Sequence, residues 1–200
     1  YMVNKNTGAY FVEEDKQPFQ ENKERARELL AEAGYPDGEG FPDLTYKYPA
    51  LEMDSDTAQV IKEQLKQNLN IDIELKAQEL QTNYADRHAK DFELCRMNWT
   101  ADFADPYTYL SMLLSNNSYN CSHIQDEKYD ALIRRSEIEL DVNKRFQLLH
   151  EAEQYAVGEQ FYIIPLYGMK SCNLVSRRIT GIRQIPASGA LEYRYADVAE

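Results

Sequence analysis

The most constraining feature of this sequence is a β–α–β pattern between residues 44 and 75. The segment LTYKY (44–48) is typical of a strand, and SDTAQVIKEQLKQNL (55–69) has the apolar spacing of an amphipathic helix. The segment IDIEL (71–75) alternates apolar and polar residues, as a second strand does. Because a helix connects the two strands, parallel pairing is favoured. The pattern therefore predicts a parallel sheet with helices packed on it.

The alternation of strands and helices continues beyond this unit. A helix is predicted over 79–89, and DFELCRMNW (91–99) is predicted as a third strand. We therefore expect an α/β fold rather than an all-helical bundle. The other predicted elements are helices beginning after Asn22 and covering 127–139 and 143–157, and strands at 161–167 and 172–176, the first of them at an edge or bulge because of Pro165.

Composition excludes several classes of protein. Of 200 residues, 43% are hydrophobic, which is enough to build a core, and the net charge is −12. A nucleic-acid-binding protein needs a basic face, which this sequence does not supply, so no nucleic-acid partner is expected. No apolar run reaches the length of a membrane span. The chain begins at Tyr1 and contains no signal peptide, so we expect it to be a segment of a longer protein.

Cysteine and histidine provide no pattern for a metal or redox site. The three cysteines form no CxxC motif, and their odd number leaves at least one unpaired within the chain, although a single disulfide stays possible. Cys95 and Cys172 lie in apolar runs and are expected to be buried. No metal or other cofactor is expected, because the histidines are not at ligand spacing. They are His88, His123 and His150.

The stretch NWTADFADPYTYL (98–110) carries the candidate chemistry. Asp105 and Pro106 suit the N-cap and first position of a helix that begins there. Asp102 is not needed for that cap, and it lies where a strand ends, which is the usual position of a ligand crevice in α/β sheets. The alternatives are that Asp102 is a solvated loop residue, or that Asp102 and Asp105 form the acid–base pair of a hydrolase.

Extended to NWTADFADPYTYLSMLLSNNSYN, this stretch resembles the signature of the extracellular solute-binding proteins of ABC importers, family 5. The segments NKERARELLAEAGY and RFQLLHEAEQYAVGEQFYIIPLY, the latter followed by LVSRRITGI, also resemble segments of that family, in the same order. Among its members, the oligopeptide-binding proteins are the most similar. The resemblance implies a bilobed, class II periplasmic-binding-protein-like fold, a "Venus flytrap", of which this chain is the C-terminal α/β lobe.

The resemblance also implies an organisation and a function. Residues 1–20 would lead in from the interlobe segment, 21–180 would form the lobe, and 181–200 would return toward a missing N-terminal lobe. The implied function is to bind oligopeptides between the lobes and deliver them to the ABC permease subunits, without enzymatic activity. The implied location is extracytoplasmic, in the periplasm or as a membrane-anchored lipoprotein. Dipeptide, nickel or sugar binding on the same fold is the alternative, with nickel weakened by the lack of clustered histidines.

Four ligand-binding residues are implied by the same resemblance. Asp102 would form a salt bridge with the α-ammonium group of the peptide, a charge-assisted contact that every free peptide offers. Trp99 would wall the side-chain pockets, although burial in the core is its alternative role. Arg87 and Arg96 would face the pockets or the C-terminal carboxylate of the peptide.

Three acidic residues leave part of that assignment open. Arg87 has an alternative role in a surface pair with Asp86 or Glu93. Arg96 interrupts an apolar strand, and a buried arginine needs a partner. Asp54 takes the place of a carboxylate-binding histidine in one branch of the family, and its charge would repel a carboxylate. The sequence therefore does not determine how the C-terminus of the peptide is held.

Overall fold

A computed structural model of the chain describes residues 7–8, 10–11, 18, 21–169, 172–185 and 188–199. The chain divides into two compact units. The sheet unit comprises Gln20–Asn98 and Cys121–His123, and the helical unit comprises Tyr1–Phe19, Trp99–Asn120 and Ile124–Glu200.

The sheet unit contains the predicted β–α–β pattern. Its elements are α1 (Lys23–Glu32), β1 (Thr45–Pro49), α2 (Glu52–Leu69), β2 (Glu74–Gln78), α3 (Leu80–Ala89) and β3 (Leu94–Cys95). The strands form one sheet in the order β2-β1-β3, and β1 pairs parallel to both neighbours. The prediction of an α/β fold with a parallel sheet is therefore confirmed.

Two of the predicted strands differ from the observed ones in their bounds. Ile71 and Ile73 are buried in the apolar core where the chain leaves α2, and the backbone ladder begins after them, at Glu74. In the third strand, pairing with β1 is confined to Leu94 and Cys95. Alternating apolar residues mark burial, whereas a strand assignment also requires a backbone partner in register.

The two faces of β1 have opposite chemistry. Tyr46 and Tyr48 pack into an apolar cluster with Ala58 of α2 and with Ile71 and Ile73. The side chain of Lys47, between the two tyrosines, points to the other face, as the alternation along a strand requires. There it meets polar side chains of α3 and the following loop.

The helical unit is built around two of the predicted helices. They are α5 (Glu127–Ile138) and α6 (Val142–Glu153), preceded by the short α4 (Tyr107–Leu110), and α6 continues as a π-helical turn over Gln154–Glu159. The side chains of Asp126 and Asp141 cap α5 and α6. Tyr129, Ile133 and Leu149 are fully buried between these elements. The two predicted helices are thus confirmed.

The predicted strands at 161–167 and 172–176 are wrong. Neither segment forms a strand, and most of their apolar side chains are exposed, including Ile164 and Leu174. A strand needs a partner backbone, and no described segment pairs with either one. Short antiparallel ladders form further along, between β4 (Ile179–Thr180) and β7 (Asp197–Val198) and between β5 (Arg183–Gln184) and β6 (Leu191–Glu192).

The cysteines form no disulfide. Cys121 is buried and Cys95 is half-buried, whereas Cys172 is exposed, so the expected burial of Cys172 is wrong. Burial raises the pKa of the Cys95 thiol, which keeps it protonated and unreactive. None of the helices in the described ranges combines the length and the apolar composition needed to cross a bilayer.

Candidate functional site

The four predicted site residues belong to different units. Arg87 and Arg96 lie in the sheet unit, whereas Trp99 and Asp102 lie at the start of the helical unit. The chain passes from the sheet unit to the helical unit between Asn98 and Trp99, within the stretch that carries the candidate chemistry.

Asp102 is an exposed carboxylate held in a loop by Thr108. The backbone N–H of Asp102 donates to Thr108 Oγ1 at 3.2 Å, and the Thr108 hydroxyl donates to Asp102 Oδ2 at 3.3 Å. Thr108 itself is buried in α4, so it gives the loop a fixed support. No cationic side chain among the described residues forms an ion pair with Asp102. The carboxylate is therefore held in place by Thr108, and no described cation neutralises its charge.

Both carboxylate oxygens of Asp105, three residues after Asp102, have hydrogen-bond partners within the protein. Arg145 of α6 donates to both of its oxygens, with Nη1–Oδ2 at 2.7 Å and Nη2–Oδ1 at 2.9 Å. The N–H of Tyr107 also donates to Asp105 Oδ1, at 2.9 Å, but the N-cap of α4 is Pro106, so the predicted N-cap position of Asp105 is wrong by one residue. The helix itself begins one residue later than expected, at Tyr107. The ion pair with Arg145 was missed from sequence, because 40 residues separate the partners.

Trp99 is half-buried, in contact with another aromatic residue. Its ring packs edge-to-face against Tyr119, with centroids 4.7 Å apart and planes at 66°. The indole Nε1 is buried, and it has no acceptor among the described residues. Tyr119 is 50% exposed, so this pair brings an aromatic surface to the outside of the helical unit. Trp99 is thus partly core and partly surface.

Arg96 is buried and paired, as its position in an apolar strand suggested. Its Nε donates to Asp54 Oδ1 at 3.2 Å, and its Nη1 donates to the backbone carbonyl of Met97 at 3.2 Å. Arg96 is 9% exposed and Asp54 4% exposed. Asp54 lies in the first turn of α2, which follows β1, and Arg96 follows β3 directly. The pair therefore lies at the carboxyl edge of the parallel sheet.

Arg87 is buried, and no described residue acts as its counter-ion. It is 7% exposed, and its guanidinium lies 4.6 Å from the ring centroid of Tyr84, one turn earlier on α3. Its Nε is buried without an acceptor, and no carboxylate among the described residues pairs with it. The alternative pairs are not formed, because Asp86 binds Lys47 and Glu93 accepts from the N–H of Thr45. An unpaired buried cation is costly in structural terms and is typical of a site that binds an anion.

A polar cluster around the buried Lys47 was also missed from sequence. Lys47 Nζ donates to Asp86 Oδ2 at 2.7 Å, to Asp91 Oδ2 at 2.9 Å and to the Asp91 carbonyl. Gln78 donates to the same oxygen of Asp86 at 2.7 Å. The hydrogen bonds from Lys47 and then Gln78 lower the pKa of Asp86, and Asp86 followed by Asp91 raises the pKa of Lys47. The one sequence signal was a lysine between two tyrosines of a strand.

A metal site finds no support in the described ranges. No three or more histidine, cysteine, aspartate or glutamate residues are grouped there so that they could hold a metal ion. Asp102 and Asp105 carry the acidic groups of the candidate stretch, and Asp105 is already committed to Arg145. The chemistry that this arrangement offers is charge recognition and aromatic contact.

Known proteins match this chain in sequence and in structure. The family described as bacterial extracellular solute-binding proteins, family 5 (middle) matches residues 2–121. The periplasmic oligopeptide-binding protein OppA of Salmonella typhimurium is 30% identical, over 87% of this chain and 32% of its own length. The dipeptide-binding protein DppE of Bacillus subtilis is 28% identical, over 88% of this chain and 32% of its own length.

The fold points to the same family. The crystal structure of a periplasmic oligopeptide-binding protein from Borrelia burgdorferi is 33% identical and superposes with a TM-score of 0.70, covering 74% of this chain and 30% of that one. This chain therefore has the mixed α/β fold of part of a periplasmic-binding-protein-like substrate-binding domain, and it spans about a third of the length of these curated relatives. It belongs to the bacterial extracellular solute-binding proteins, family 5.

Proposed function

We propose that this chain is the C-terminal lobe of the substrate-binding component of an ABC importer, which binds oligopeptides and delivers them to the membrane permease. Membership of family 5 supports transport by solute binding. The observation that carries the peptide assignment is Asp102, an exposed carboxylate held by Thr108 and not neutralised by any described cation. All free peptides share an α-ammonium group, so one fixed carboxylate serves many sequences.

The proposal includes a larger protein around this chain. Residues 21–180 form the lobe, 1–20 lead into it, and 181–200 return toward an N-terminal lobe. Two observations support this organisation. The relatives are about three times as long as this chain. The described residues from 161 onward also expose apolar side chains, such as Ile164 and Leu174, that a further lobe would cover. We propose an extracytoplasmic location, in the periplasm or as a lipoprotein on the membrane.

In this proposal Asp102 binds the α-ammonium group of the peptide and Trp99 walls a side-chain pocket. Arg87 and Arg96 face the pockets or the C-terminal carboxylate of the peptide, Arg87 as a cation without a described counter-ion and Arg96 as half of an ion pair. The strand β3 is at the edge of its sheet, because it pairs with β1 alone among the described strands. An edge backbone can hydrogen-bond an extended peptide irrespective of the peptide's side chains.

The main alternatives are less well supported by these contacts. A hydrolase that used Asp102 and Asp105 as acid and base would need both carboxylates free to exchange protons. Arg145 engages both oxygens of Asp105, which favours binding over hydrolysis. Dipeptide binding, as named for the B. subtilis relative, would use the same ammonium contact. Sugar binding would not need Asp102, and nickel binding would need ligands that the described residues do not group together.

The test is Asp102→Asn in the full-length protein, with free-amine peptides and their N-acetylated forms as ligands. We expect free-amine peptides to bind about 3–5 kcal/mol more weakly, because an enclosed ammonium group is left unpaired. N-acetylated peptides never form that pair, so their weak binding should change little. Calorimetry measures both affinities. Equal losses for the two ligand types would show that Asp102 is structural.

A matched control separates charge at the site from charge elsewhere. Asp141→Asn removes the same charge from an exposed helix cap, and asparagine caps as well as aspartate does, so peptide affinity should not change. Asp105→Asn is unsuitable as a neutral control, because it breaks the ion pair with Arg145. A selective loss of free-amine peptides in Asp105→Asn, with Asp102→Asn unaffected, would assign the contact to Asp105.

A further inference from the structure

The carboxyl edge of the sheet carries a charge pair that the proposed function does not by itself explain. Asp54 lies in the first turn of the helix that follows β1, and Arg96 follows β3, so the pair joins two chain segments at this edge. Ligands of open α/β sheets bind at the carboxyl ends of the strands. An arginine at such an edge is a natural anion site, but here an acidic side chain already occupies it.

The pair is enclosed and its charges cancel. Arg96 donates to Asp54 from Nε and to the Met97 carbonyl from Nη1, each at 3.2 Å, and both charged side chains are more than nine-tenths buried. Asp54 is in the first turn of α2, an 18-residue helix whose N-cap, Leu51, provides no side-chain acceptor. The carboxylate of Asp54 therefore lies near the positive end of the helix dipole, a favourable position for an acidic side chain.

A ligand carboxylate would have to compete with Asp54 for Arg96. If it displaced Asp54, a buried carboxylate would remain without a cation, which is strongly unfavourable. If it bound beside Asp54, two negative charges would face each other at one guanidinium group. Either outcome disfavours an anionic ligand group at this position.

We propose that Asp54 is a specificity determinant. As the internal counter-ion of Arg96, it prevents the C-terminal carboxylate of a peptide from binding at this edge of the sheet. This inference rests on the proposed function and refines it. Arg96 then contributes to the wall of the site without net charge. Any preference for a free C-terminus comes from another cation, and we assign this role to Arg87, a buried arginine with no carboxylate partner among the described residues.

The experiment uses the full-length protein and alanine peptides of two to six residues, each as the free acid and as the C-terminal amide. The quantity measured by calorimetry is the ratio of acid to amide affinity. Asp54→Asn keeps the size of the side chain and removes its charge, so it frees Arg96 for a ligand. We expect the ratio to rise at least about tenfold in Asp54→Asn. Asp54→Ser, a second neutral variant, should raise the ratio in the same direction.

Arg96→Gln supplies the decisive comparison. Added to Asp54→Asn, it should return the ratio to the wild-type value, because the released cation is gone. Alone, it should leave the ratio unchanged while lowering the melting temperature, because Asp54 is then buried without a partner. Arg87→Gln is the matched variant at the unpaired arginine, and it should lower the ratio.

Two results would overturn the inference alone. One is a lower ratio in the single Arg96→Gln variant, which would mean that Arg96 already binds the carboxylate. The other is peptide binding with an unchanged ratio in both neutral Asp54 variants. If the wild-type protein bound none of the peptides in either form, the proposed function would fail and this inference with it.

Discussion

The helical unit and the sheet unit bury different kinds of side chain. Among the described residues, the helical unit has a cluster of eleven buried apolar side chains, drawn mainly from α5 and α6. The corresponding cluster of the sheet unit has five. Among the described residues, the sheet unit also buries four charged side chains, Lys47, Asp54, Arg87 and Arg96, whereas the helical unit buries one, Asp130. One unit is thus held mainly by apolar packing, and the other combines a smaller apolar core with enclosed charges.

Because of this difference, we expect the helical unit to depend more on packing for its stability and the sheet unit to contribute more to ligand recognition. Apolar packing is non-directional and is indifferent to the charge of a ligand. Enclosed charges need partners, and a missing or replaceable partner makes them responsive to a ligand. The sheet unit contains both cases, since Arg96 is paired with Asp54 and Arg87 has no described counter-ion. Removing an apolar side chain should therefore harm the helical unit most, and removing a charge should harm the sheet unit most.

The largest effect is expected from Leu149→Ala in the helical unit. Leu149 is 0% exposed at the centre of the apolar cluster, so its truncation leaves a cavity. We expect a loss of about 2–5 kcal/mol in the free energy of unfolding. Hydrogen exchange should show faster exchange in α5 and α6 than in β1. Ile138→Ala, at a side chain that is 79% exposed, is the control and should change stability by less than about 0.5 kcal/mol.

A smaller effect, confined to the sheet unit, is expected from Lys47→Met. Methionine fills the space of the lysine stem but leaves Asp86 without its cation, so exchange in β1 and α3 should accelerate. Asp86 keeps the hydrogen bond from Gln78 and some contact with solvent, which limits the loss. Adding Asp86→Asn removes the unpaired charge and should restore part of the protection. Faster exchange in α6 instead would contradict the division of roles between the units.

Acid should weaken the sheet unit through the same cluster. The pKa of Asp86 is lowered in the folded protein, by hydrogen bonds from Lys47 and then Gln78. A lowered pKa stabilises the fold above the unfolded value, about 3.9, and this stability is lost as the pH falls through the folded value. Protection of β1 amides should therefore decline below about pH 4. In Asp86→Asn this decline should be shallower, and an identical decline in both proteins would remove Asp86 as its cause.

Elements that depend on residues close in sequence were predicted correctly. The alternation at 44–48 and the helical spacing at 55–69 correctly predicted parallel pairing, because a helical crossover leaves few other arrangements. The hydrogen bond from the start of α4 to Asp105 was also predictable, since it joins adjacent residues, although the helix begins one residue later than predicted. The segment 161–167 has the composition of a strand but no partner in the described chain. Composition alone does not reveal whether a partner is present.

The ion pairs were beyond the reach of sequence reasoning. Arg145 binds Asp105 across 40 residues, Asp86 binds Lys47 across 39, and Arg96 binds Asp54 across 42. Many carboxylates lie at such separations, and the fold decides which of them meets a given cation. The need of Arg96 for a partner was predictable from its apolar surroundings, whereas the identity of that partner was not. The four site residues were identified from the family resemblance, whereas the structure shows which of them form an ion pair with a described residue.

The smallest effect is expected from Tyr107→Phe, a polar contact in the unit that relies on apolar packing. The Tyr107 hydroxyl donates to Glu137 Oε1 at 2.6 Å in an exposed position, so its loss should cost no more than about 1 kcal/mol near pH 7. The hydrogen bond to Glu137, followed by burial, raises the pKa of Tyr107 to about 12.

Because the pKa of Tyr107 is raised, the stability that its contact with Glu137 contributes depends on pH. Its contribution is complete below the unfolded value, about 10, and is lost as the pH rises through the folded value. The difference in denaturation midpoint between wild type and Tyr107→Phe should therefore be present at pH 7 and much smaller at about pH 12. Glu137→Gln, which keeps an acceptor but removes its charge, should reduce the difference at pH 7. A difference that is equal at both pH values would mean that the hydroxyl matters for packing and not for its hydrogen bond to Glu137.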